Sequence, residues 1–250
     1  MRTYLSLAVF AVAAGALAAG YTMAAAPGTP PATRAGAATP AAARPPAPAA
    51  APAASAPAAK VDPTMLDKEG YIRQWLILGP IYFGTDYSAD NIEKEQITGE
   101  AALAPKEGDK QKVKSVENDK PTDKEFAWKK VTPTDHALDF NESFKIDPTD
   151  GTGGYAVAYI DAPEEMKDVT FSFSTNDDGL LYLNGKKIWS LVTGRALEED
   201  SDKVEHLTLN KGTNTIVFKV WNDSNNWQAC LRVLGKDGKP VNNVKVKLTK

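Results

Sequence analysis

No Asp or Glu occurs before Asp62, although the chain of 250 residues contains 32 of them. From Ala24 to Lys60 the chain is almost entirely Ala and Pro, and this stretch holds nine of the 17 prolines. Prolines at this density prevent a helix, and alanine offers too little apolar surface for a core. The sequence therefore predicts a disordered, extended Ala/Pro-rich linker over residues 27–60, and it confines the folded domain to residues 61–250.

The N-terminal end has the pattern of a secretory signal peptide. Arg2 gives a positive start, an uncharged apolar run of about 15 residues begins at Leu5, and Ala24 and Ala26 are small residues that signal peptidase accepts. We expect residues 1–26 to be a signal peptide, and the protein to be exported to the periplasm or the cell exterior. The run is shorter than the roughly 20 residues that span a bilayer. Because no charge follows before Arg34, an uncleaved membrane anchor stays open as the alternative.

The charge of the folded part argues against a nucleic-acid partner, and its cysteine content excludes an internal disulfide. From Lys60 onward the chain carries all 32 acidic residues and 26 of the 29 basic ones, a net charge near −6. A nucleic-acid partner is not expected, since such partners require a basic face. Cys230 is the only cysteine, so an internal disulfide is impossible, and we expect this side chain to be buried in a strand.

Beyond the linker, short apolar runs recur at near-regular spacing between Gly, Asn, Asp and Pro, which is typical of an all-β sandwich. Val169, Phe171 and Phe173 alternate with polar residues and predict a half-buried strand. Asn184-Gly185 between two apolar runs predicts a hairpin with a type I′ turn. Further strands are predicted at 71–80, 126–131, 155–160, 227–234 and 244–248, and a second hairpin joins 205–209 to 214–221 through a turn at 210–212.

One segment departs from this strand pattern. Residues 86–124 are charged and poor in large apolar side chains. We predict a long irregular segment there, with one helical turn near residues 89–96. Irregular segments of this length are uncommon inside compact domains and are often functional.

The order of the motifs is more specific than any motif alone. They include Trp75-Leu-Ile-Leu-Gly-Pro80, Thr175-Asn-Asp-Asp-Gly179, Leu183-Asn-Gly-Lys186, Leu209-Asn-Lys-Gly212 and Phe218-Lys-Val-Trp-Asn222. This series resembles a family of secreted bacterial galactose-binding-domain-like modules, which are jelly-roll β-sandwiches related in pattern to the PA14 type. The resemblance covers nearly all of residues 70–248. It implies a jelly-roll β-sandwich and a non-catalytic module that binds carbohydrate.

The resemblance also points to Asp177 and Asp178 as a metal site. In PA14-type adhesins a similar Asp-Asp pair, joined by a cis peptide, holds a calcium ion that coordinates sugar hydroxyls. Adjacent carboxylates are hard oxygen ligands of the kind that Ca²⁺ takes. We therefore expect no required cofactor, with calcium at this pair as the one candidate. The alternative is turn chemistry, in which both carboxylates accept hydrogen bonds from backbone N–H groups.

A ligand site around this pair requires further groups from the following loop. Asn222, Asp223 and Asn226 are the predicted polar contributors. The ring of Trp221 or Trp227 is predicted to stack on a sugar, because amphipathic aromatic rings beside polar groups suit sugar recognition. Core packing is expected for the other three tryptophans, Trp75, Trp128 and Trp189.

The sequence offers little for catalysis. His136 and His206 are the only histidines and show no zinc-site spacing. There is no Gly-x-Ser-x-Gly elbow and no phosphate-binding glycine loop. A carboxylate pair for glycoside hydrolysis stays open, since such pairs are defined by their separation in space. We predict a secreted non-catalytic module that binds carbohydrate or a cell-surface glycan. The alternative is a structural or assembly subunit of a periplasmic or surface protein complex, with membrane contact only if the signal segment stays uncleaved.

Overall fold

The computed structural model describes residues 62–82, 92–117, 120–148 and 150–250. The predicted signal peptide and linker lie outside the described residues. Most of the described chain is in strands, which are β1 (Trp75–Tyr82), β2 (Lys110–Glu117), β3 (Lys120–Ala127), β4 (Lys129–Val131), β5 (Leu138–Asp139), β6 (Thr152–Ala162), β7 (Met166–Asn176), β8 (Asp178–Leu183), β9 (Lys186–Leu191), β10 (Asp202–Leu209), β11 (Gly212–Asn222), β12 (Gln228–Leu234) and β13 (Lys245–Lys247). The helical elements that lie wholly within the described residues are a 3₁₀ turn (Glu100–Ala102) and the short helix α1 (Phe140–Phe144), and residues 92 and 93 are also helical. None of the helices in the described part has the length and apolar character needed to span a bilayer.

Two antiparallel sheets and one separate hairpin organise these strands. The larger sheet has the order β4-β1-β6-β11-β8-β9, and β13 also pairs with β6. The smaller sheet has the order β10-β7-β12-β5, and among the described strands β2 pairs with β3 alone. The fold is therefore the all-β sandwich that the apolar spacing predicts.

The first hydrophobic core lies between the two sheets. Val169, Phe171 and Phe173 of β7 are buried on one face of the smaller sheet, as their alternation predicts. They belong to one cluster with Ile216 and Phe218 of β11 in the larger sheet. Complete burial of one such side chain stabilises the fold by about 2 kcal/mol, so this layer holds the two sheets together.

A second core lies on the other face of the larger sheet. Val157 of β6 and Val217 of β11 point to this face and are fully buried. The segment that covers them contributes Ile92 and Ile97, and β2 contributes Val113. Since both faces of the central strands are buried, β6 and β11 carry nearly continuous apolar runs rather than alternating ones.

The segment that forms this cover corrects one prediction. Residues 86–91, 118 and 119 of the predicted irregular segment lie outside the described residues, and residues 92–109 contain no strand, as predicted. Residues 110–117 and 120–124 instead lie in β2 and β3. Their charged residues misled the prediction because they lie on the exposed face, where Lys110 pairs with Glu125 and Lys114 with Asp123. Of the helical turn predicted near 89–96, residues 89–91 lie outside the described residues, residues 92 and 93 are helical, and 94–96 are not.

A buried ion pair anchors the cover to the larger sheet. Lys219 of β11 donates hydrogen bonds to the backbone oxygens of Ile92 at 2.8 Å and Lys94 at 2.7 Å. Its Nζ also lies 3.1 Å from Glu100 Oε2, and both side chains are essentially inaccessible. The Glu100 carboxylate accepts hydrogen bonds from the hydroxyls of Tyr155 and Tyr182. Burial lowers the pKa of Lys219, and Glu100 opposes that shift. The network fixes residues 92–103 on the sheet.

The two predicted hairpins have different outcomes. Asn184 and Gly185 have φ of 52° and 82°, and they connect β8 to β9 as predicted. The prediction of a second hairpin, between β10 and β11, is wrong. β10 pairs with β7 in the smaller sheet, while β11 pairs with β6 and β8 in the larger one. The turn at residues 210–212 therefore carries the chain from one sheet to the other. Asn214 holds that turn through hydrogen bonds to the backbone N and O of Asn210.

Candidate functional site

Asp177 and Asp178 lie where β7 ends and β8 begins, and both are buried. Asp177 Oδ1 accepts a hydrogen bond from the backbone N–H of Arg195 at 2.9 Å. Its Oδ2 accepts from the backbone N–H groups of Asp223 at 2.8 Å and Ser224 at 3.3 Å. Both oxygens thus hold loops against the end of the larger sheet, which is the turn chemistry that the sequence left open.

Asp178 has the same kind of role but a less favourable electrostatic environment. Its Oδ1 accepts a hydrogen bond from the backbone N–H of Thr193 at 2.6 Å. Burial raises the pKa of Asp178 to about 6, and the charges of Asp223 and Asp177 add to that increase. Burial and the charge of Asp177 also raise the pKa of Asp223. The three carboxylates are therefore close enough to destabilise one another when ionised.

The backbone at this loop differs from the arrangement that the resemblance implies. The cis peptide joins Asn176 to Asp177, not Asp177 to Asp178. In the described part of the chain, no group of three or more His, Cys, Asp or Glu side chains is arranged to hold a metal ion. Calcium at Asp177 and Asp178 stays a prediction, and the backbone hydrogen bonds that both carboxylates accept favour turn chemistry.

The tryptophans predicted to stack on a sugar are buried instead. Trp227 has no exposed surface, its ring stacks on Phe140 at a centroid distance of 4.6 Å, and its Nε1 donates to the Val220 carbonyl oxygen. Trp221 is packed in the second core. The stacking prediction is therefore wrong for both rings, because each lies on the inward face of its strand or loop. Core packing is confirmed for Trp75 and Trp128, and Trp189 is half-buried against the first core.

The polar residues of the following loop are only partly brought together. Asn222 is fully buried at the end of β11, and its backbone oxygen accepts a hydrogen bond from Gly151. Asp223 is half-buried beside the Asp177 carboxylate, whereas Asn226 is exposed. Asp177, Asp178 and Asp223 thus form one cluster, which we call the acidic loop end. Its polar groups are directed mainly at backbone N–H groups.

A polar cleft lies at a different edge of the sandwich, and the sequence did not predict it. Its volume is about 390 Å³, within the range of small-ligand sites. It opens between the edge strands β4 and β5, and α1, the loop 132–137 and β12 complete it. The lining side chains are Val131, Thr132, Pro133, Thr134, Asp135, Ala137, Asp139, Glu142, Ser143, Lys145 and Gln228.

Asp139 fixes the geometry of this cleft. It is the N-cap of α1, and its Oδ1 accepts a hydrogen bond from the backbone N–H of Glu142 at 2.9 Å. Its Oδ2 accepts from Gln228 Nε2 at 3.1 Å, and its backbone oxygen accepts from the Ser143 hydroxyl. The spacing of Asp139 and Glu142 is a helix-start signal in the sequence. The cleft itself requires Gln228, which is distant in the chain.

The reactive residue types lie away from this cleft or in unreactive surroundings. Cys230 is buried, as predicted, and burial raises the pKa of its thiol to about 12. His206 is exposed beside Asp168, with 3.3 Å between Nδ1 and Oδ1. His136 belongs to the loop 132–137 but is not among the side chains that line the cleft, and it contacts Asp135 and Glu199. The two histidines therefore belong to separate surface pairs.

Comparison with known proteins adds no family assignment. No protein-family model matches the chain, and no curated protein matches its sequence. The likeness to galactose-binding-domain-like modules thus stays a prediction from the ordered motifs, beside a sandwich fold that the structure shows.

Proposed function

We propose that this protein is an exported, non-catalytic binding module, and that it binds a carbohydrate through the cleft between β4, β5 and α1. The observation that carries the proposal is the cleft of about 390 Å³ with a mixed polar lining. A cleft of this size lies within the range of small-molecule binding sites. Export and carbohydrate binding both extend the predictions drawn from the signal segment and the motif series.

The lining matches the chemistry of a sugar ring. Sugar hydroxyls both donate and accept hydrogen bonds, so a site needs carboxylates or amides together with cationic or hydroxyl donors. Glu142 in the first turn of α1 provides an exposed carboxylate, and Lys145 at its C-cap provides an exposed ammonium group. Thr132 and Thr134 add hydroxyls, and charge-assisted hydrogen bonds are the stronger ones in such sites.

The apolar part of the lining complements these polar groups. Val131, Pro133 and Ala137 contribute small apolar surfaces to the cleft. The C–H faces of sugar rings pack against surfaces of this kind. The cleft lining includes no aromatic ring, so we expect weak binding that depends on hydrogen bonds.

The groups in the cleft are arranged for binding rather than for covalent catalysis. The Ser143 hydroxyl donates a hydrogen bond to the backbone oxygen of Asp139. A backbone oxygen is not a base that could activate this hydroxyl as a nucleophile. Both carboxylate oxygens of Asp139 accept structural hydrogen bonds, one from the backbone N–H of Glu142 at the N-cap of α1 and one from Gln228. The lining includes no histidine or cysteine.

A glycan array followed by a polysaccharide pull-down tests the proposal. The full chain is compared with Glu142→Ala and Lys145→Ala, each matched to an exposed residue elsewhere, Glu164→Ala and Lys211→Ala. We expect binding by the wild type and by both controls, and at least a tenfold loss in both cleft variants. Each assay is repeated with calcium and with a chelator, and binding that needs calcium places the ligand at Asp177 and Asp178 instead.

One outcome contradicts the proposal as a whole. If no glycan binds in either condition and the protein co-purifies with a protein partner, the alternative of an assembly subunit replaces it. If a glycan binds equally well to the wild type and to all four variants, the module binds carbohydrate but does not use this cleft.

A further inference from the structure

The loop 132–137 forms one wall of the cleft, and two basic side chains, Arg73 and the loop's own His136, anchor it on the side away from the cleft. Arg73 is buried, and it donates hydrogen bonds to the Pro133 carbonyl oxygen at 3.2 Å and to Asp67 Oδ2 at 3.0 Å. Because a guanidinium keeps its charge at all biological pH values, this anchor does not respond to pH. The second anchor is His136.

His136 connects its own loop to the loop 192–201, which is hydrogen-bonded to Ser172 and Ser174 of the smaller sheet through Asp200 and Ser201. Its Nδ1 lies 2.8 Å from Asp135 Oδ1, and its Nε2 lies 3.5 Å from Glu199 Oε1. Its ring packs on Tyr71 with a centroid distance of 5.1 Å. About a quarter of the His136 side chain is exposed, so water and protons reach it.

The charged groups around His136 make both contacts sensitive to its protonation. Hydrogen bonds from His136, first of all from its backbone N–H, lower the pKa of Asp135, so that carboxyl is ionised above the acid range. Glu199 accepts a hydrogen bond from the Tyr71 hydroxyl at 2.7 Å, and burial raises the pKa of Tyr71, which keeps the hydroxyl proton in place. The other charged groups packed around this cluster are Arg73, Asp200 and Arg232.

We propose that His136 is a positioning residue for the cleft wall, and that its protonation fastens the loop 132–137 to the loop 192–201. A neutral imidazole has one N–H and serves only one of the two carboxylates as a donor, whereas an imidazolium donates to both. Lowering the pH favours the imidazolium over the neutral ring. The cleft wall is then more firmly held at pH 5.5 than at pH 8.

Hydrogen exchange in the full chain tests the fastening without any ligand. After correction for intrinsic exchange rates, we expect the amides of residues 132–137 to be about threefold better protected at pH 5.5 than at pH 8. In His136→Gln, which keeps a neutral hydrogen-bonding side chain, the ratio falls to about one. Glu199→Gln removes one ion pair and gives an intermediate ratio, while the amides of β6 and β11 serve as the internal control.

The ligand part of this inference rests on the proposed function and is measured separately. With soluble galactan as the probe, we expect tighter binding at pH 5.5 than at pH 8 in the wild type and no such difference in His136→Gln. Absence of galactan binding alongside a pH-dependent wild-type loop contradicts carbohydrate binding and supports the fastening. An unchanged protection ratio in the wild type, or the same acid protection in His136→Gln, overturns the fastening whether or not galactan binds.

Discussion

The acidic loop end and the cleft are both rich in polar side chains, but these side chains point in different directions. At the acidic loop end, the Asp177 and Asp178 carboxylates are buried and accept hydrogen bonds from four backbone N–H groups. In the cleft, Glu142 and Lys145 are exposed on the short helix α1. The difference teaches that the carboxylates of a prominent acidic motif can all be engaged in hydrogen bonds that hold loops in place. The polar groups that are free to contact a ligand then lie elsewhere, on a surface that no sequence motif marks.

The buried pair of Lys219 and Glu100 is the extreme case of an inward-directed polar group. Glu100→Ala leaves the Lys219 ammonium buried without its counter-ion, which costs about 3–5 kcal/mol. We expect the melting temperature of the full chain to fall by roughly 10 °C, measured by differential scanning calorimetry. Glu164→Ala, at an exposed site, is the control and stays within about 1 °C. A fall of less than about 3 °C contradicts the anchoring role of this pair.

Asp177→Ala tests the acidic loop end directly. The substitution removes the acceptor of three backbone N–H groups, and we expect a loss of about 2–3 kcal/mol in the free energy of unfolding, measured by urea denaturation. Glycan binding at the cleft is expected to stay unchanged. Lost binding together with unchanged stability contradicts the comparison, because it makes this carboxylate a ligand contact rather than a structural cap.

Asp178→Asn sharpens the comparison through pH. Because the folded-state pKa of Asp178 is about 6 against a usual value of 3.8, the folded protein keeps this proton between those pH values while the unfolded chain loses it. The stability contributed by this group therefore falls as pH rises through that window and stays low above it. Asn keeps an acceptor for Thr193 without the charge.

The measurement is the difference in melting temperature between Asp178→Asn and the wild type. We expect this difference to be about 2–4 °C more favourable to the variant at pH 7 than at pH 4. Asp150→Asn, which changes an exposed carboxylate nearby, shows a smaller dependence. A difference that does not change with pH contradicts the assignment of a raised pKa to Asp178.

Glu142→Ala gives the smallest effect on stability. Its side chain is exposed, so the free energy of unfolding is expected to change by less than about 0.5 kcal/mol. The same substitution is expected to weaken glycan binding at least tenfold. A large loss of stability makes Glu142 part of the fold and removes the contrast between the two regions.

Much of the sandwich follows from local patterns in the sequence. Alternation along β7 locates its buried face, and Asn184-Gly185 locates one hairpin, because both signals depend on neighbouring residues only. The turn at 210–212 resembles a hairpin turn equally well. Whether the flanking strands pair or separate into two sheets depends on distant partners, Phe173 for β10 and Val157 for β11.

The candidate site was harder to predict for the same reason. The motifs located Asp177 and Asp178 correctly at a loop between two strands, but residue type alone does not show whether a carboxylate faces a backbone N–H or the solvent. The two tryptophans follow the same rule, since Trp221 is buried by the second core and Trp227 by the first core, where its ring stacks on Phe140. The cleft combines residues 131–145 with Gln228, and only the pairing of β12 with β5 brings them together.

The most direct measurement is hydrogen exchange of the full chain with and without a glycan that binds in the array. We predict ligand-induced protection at residues 132–145 and at Gln228, with no change at Asp177, Asp178 or residues 222–226. Protection at the acidic loop end, and none at the cleft, contradicts the central claim that this protein binds through the outward-directed groups of the cleft.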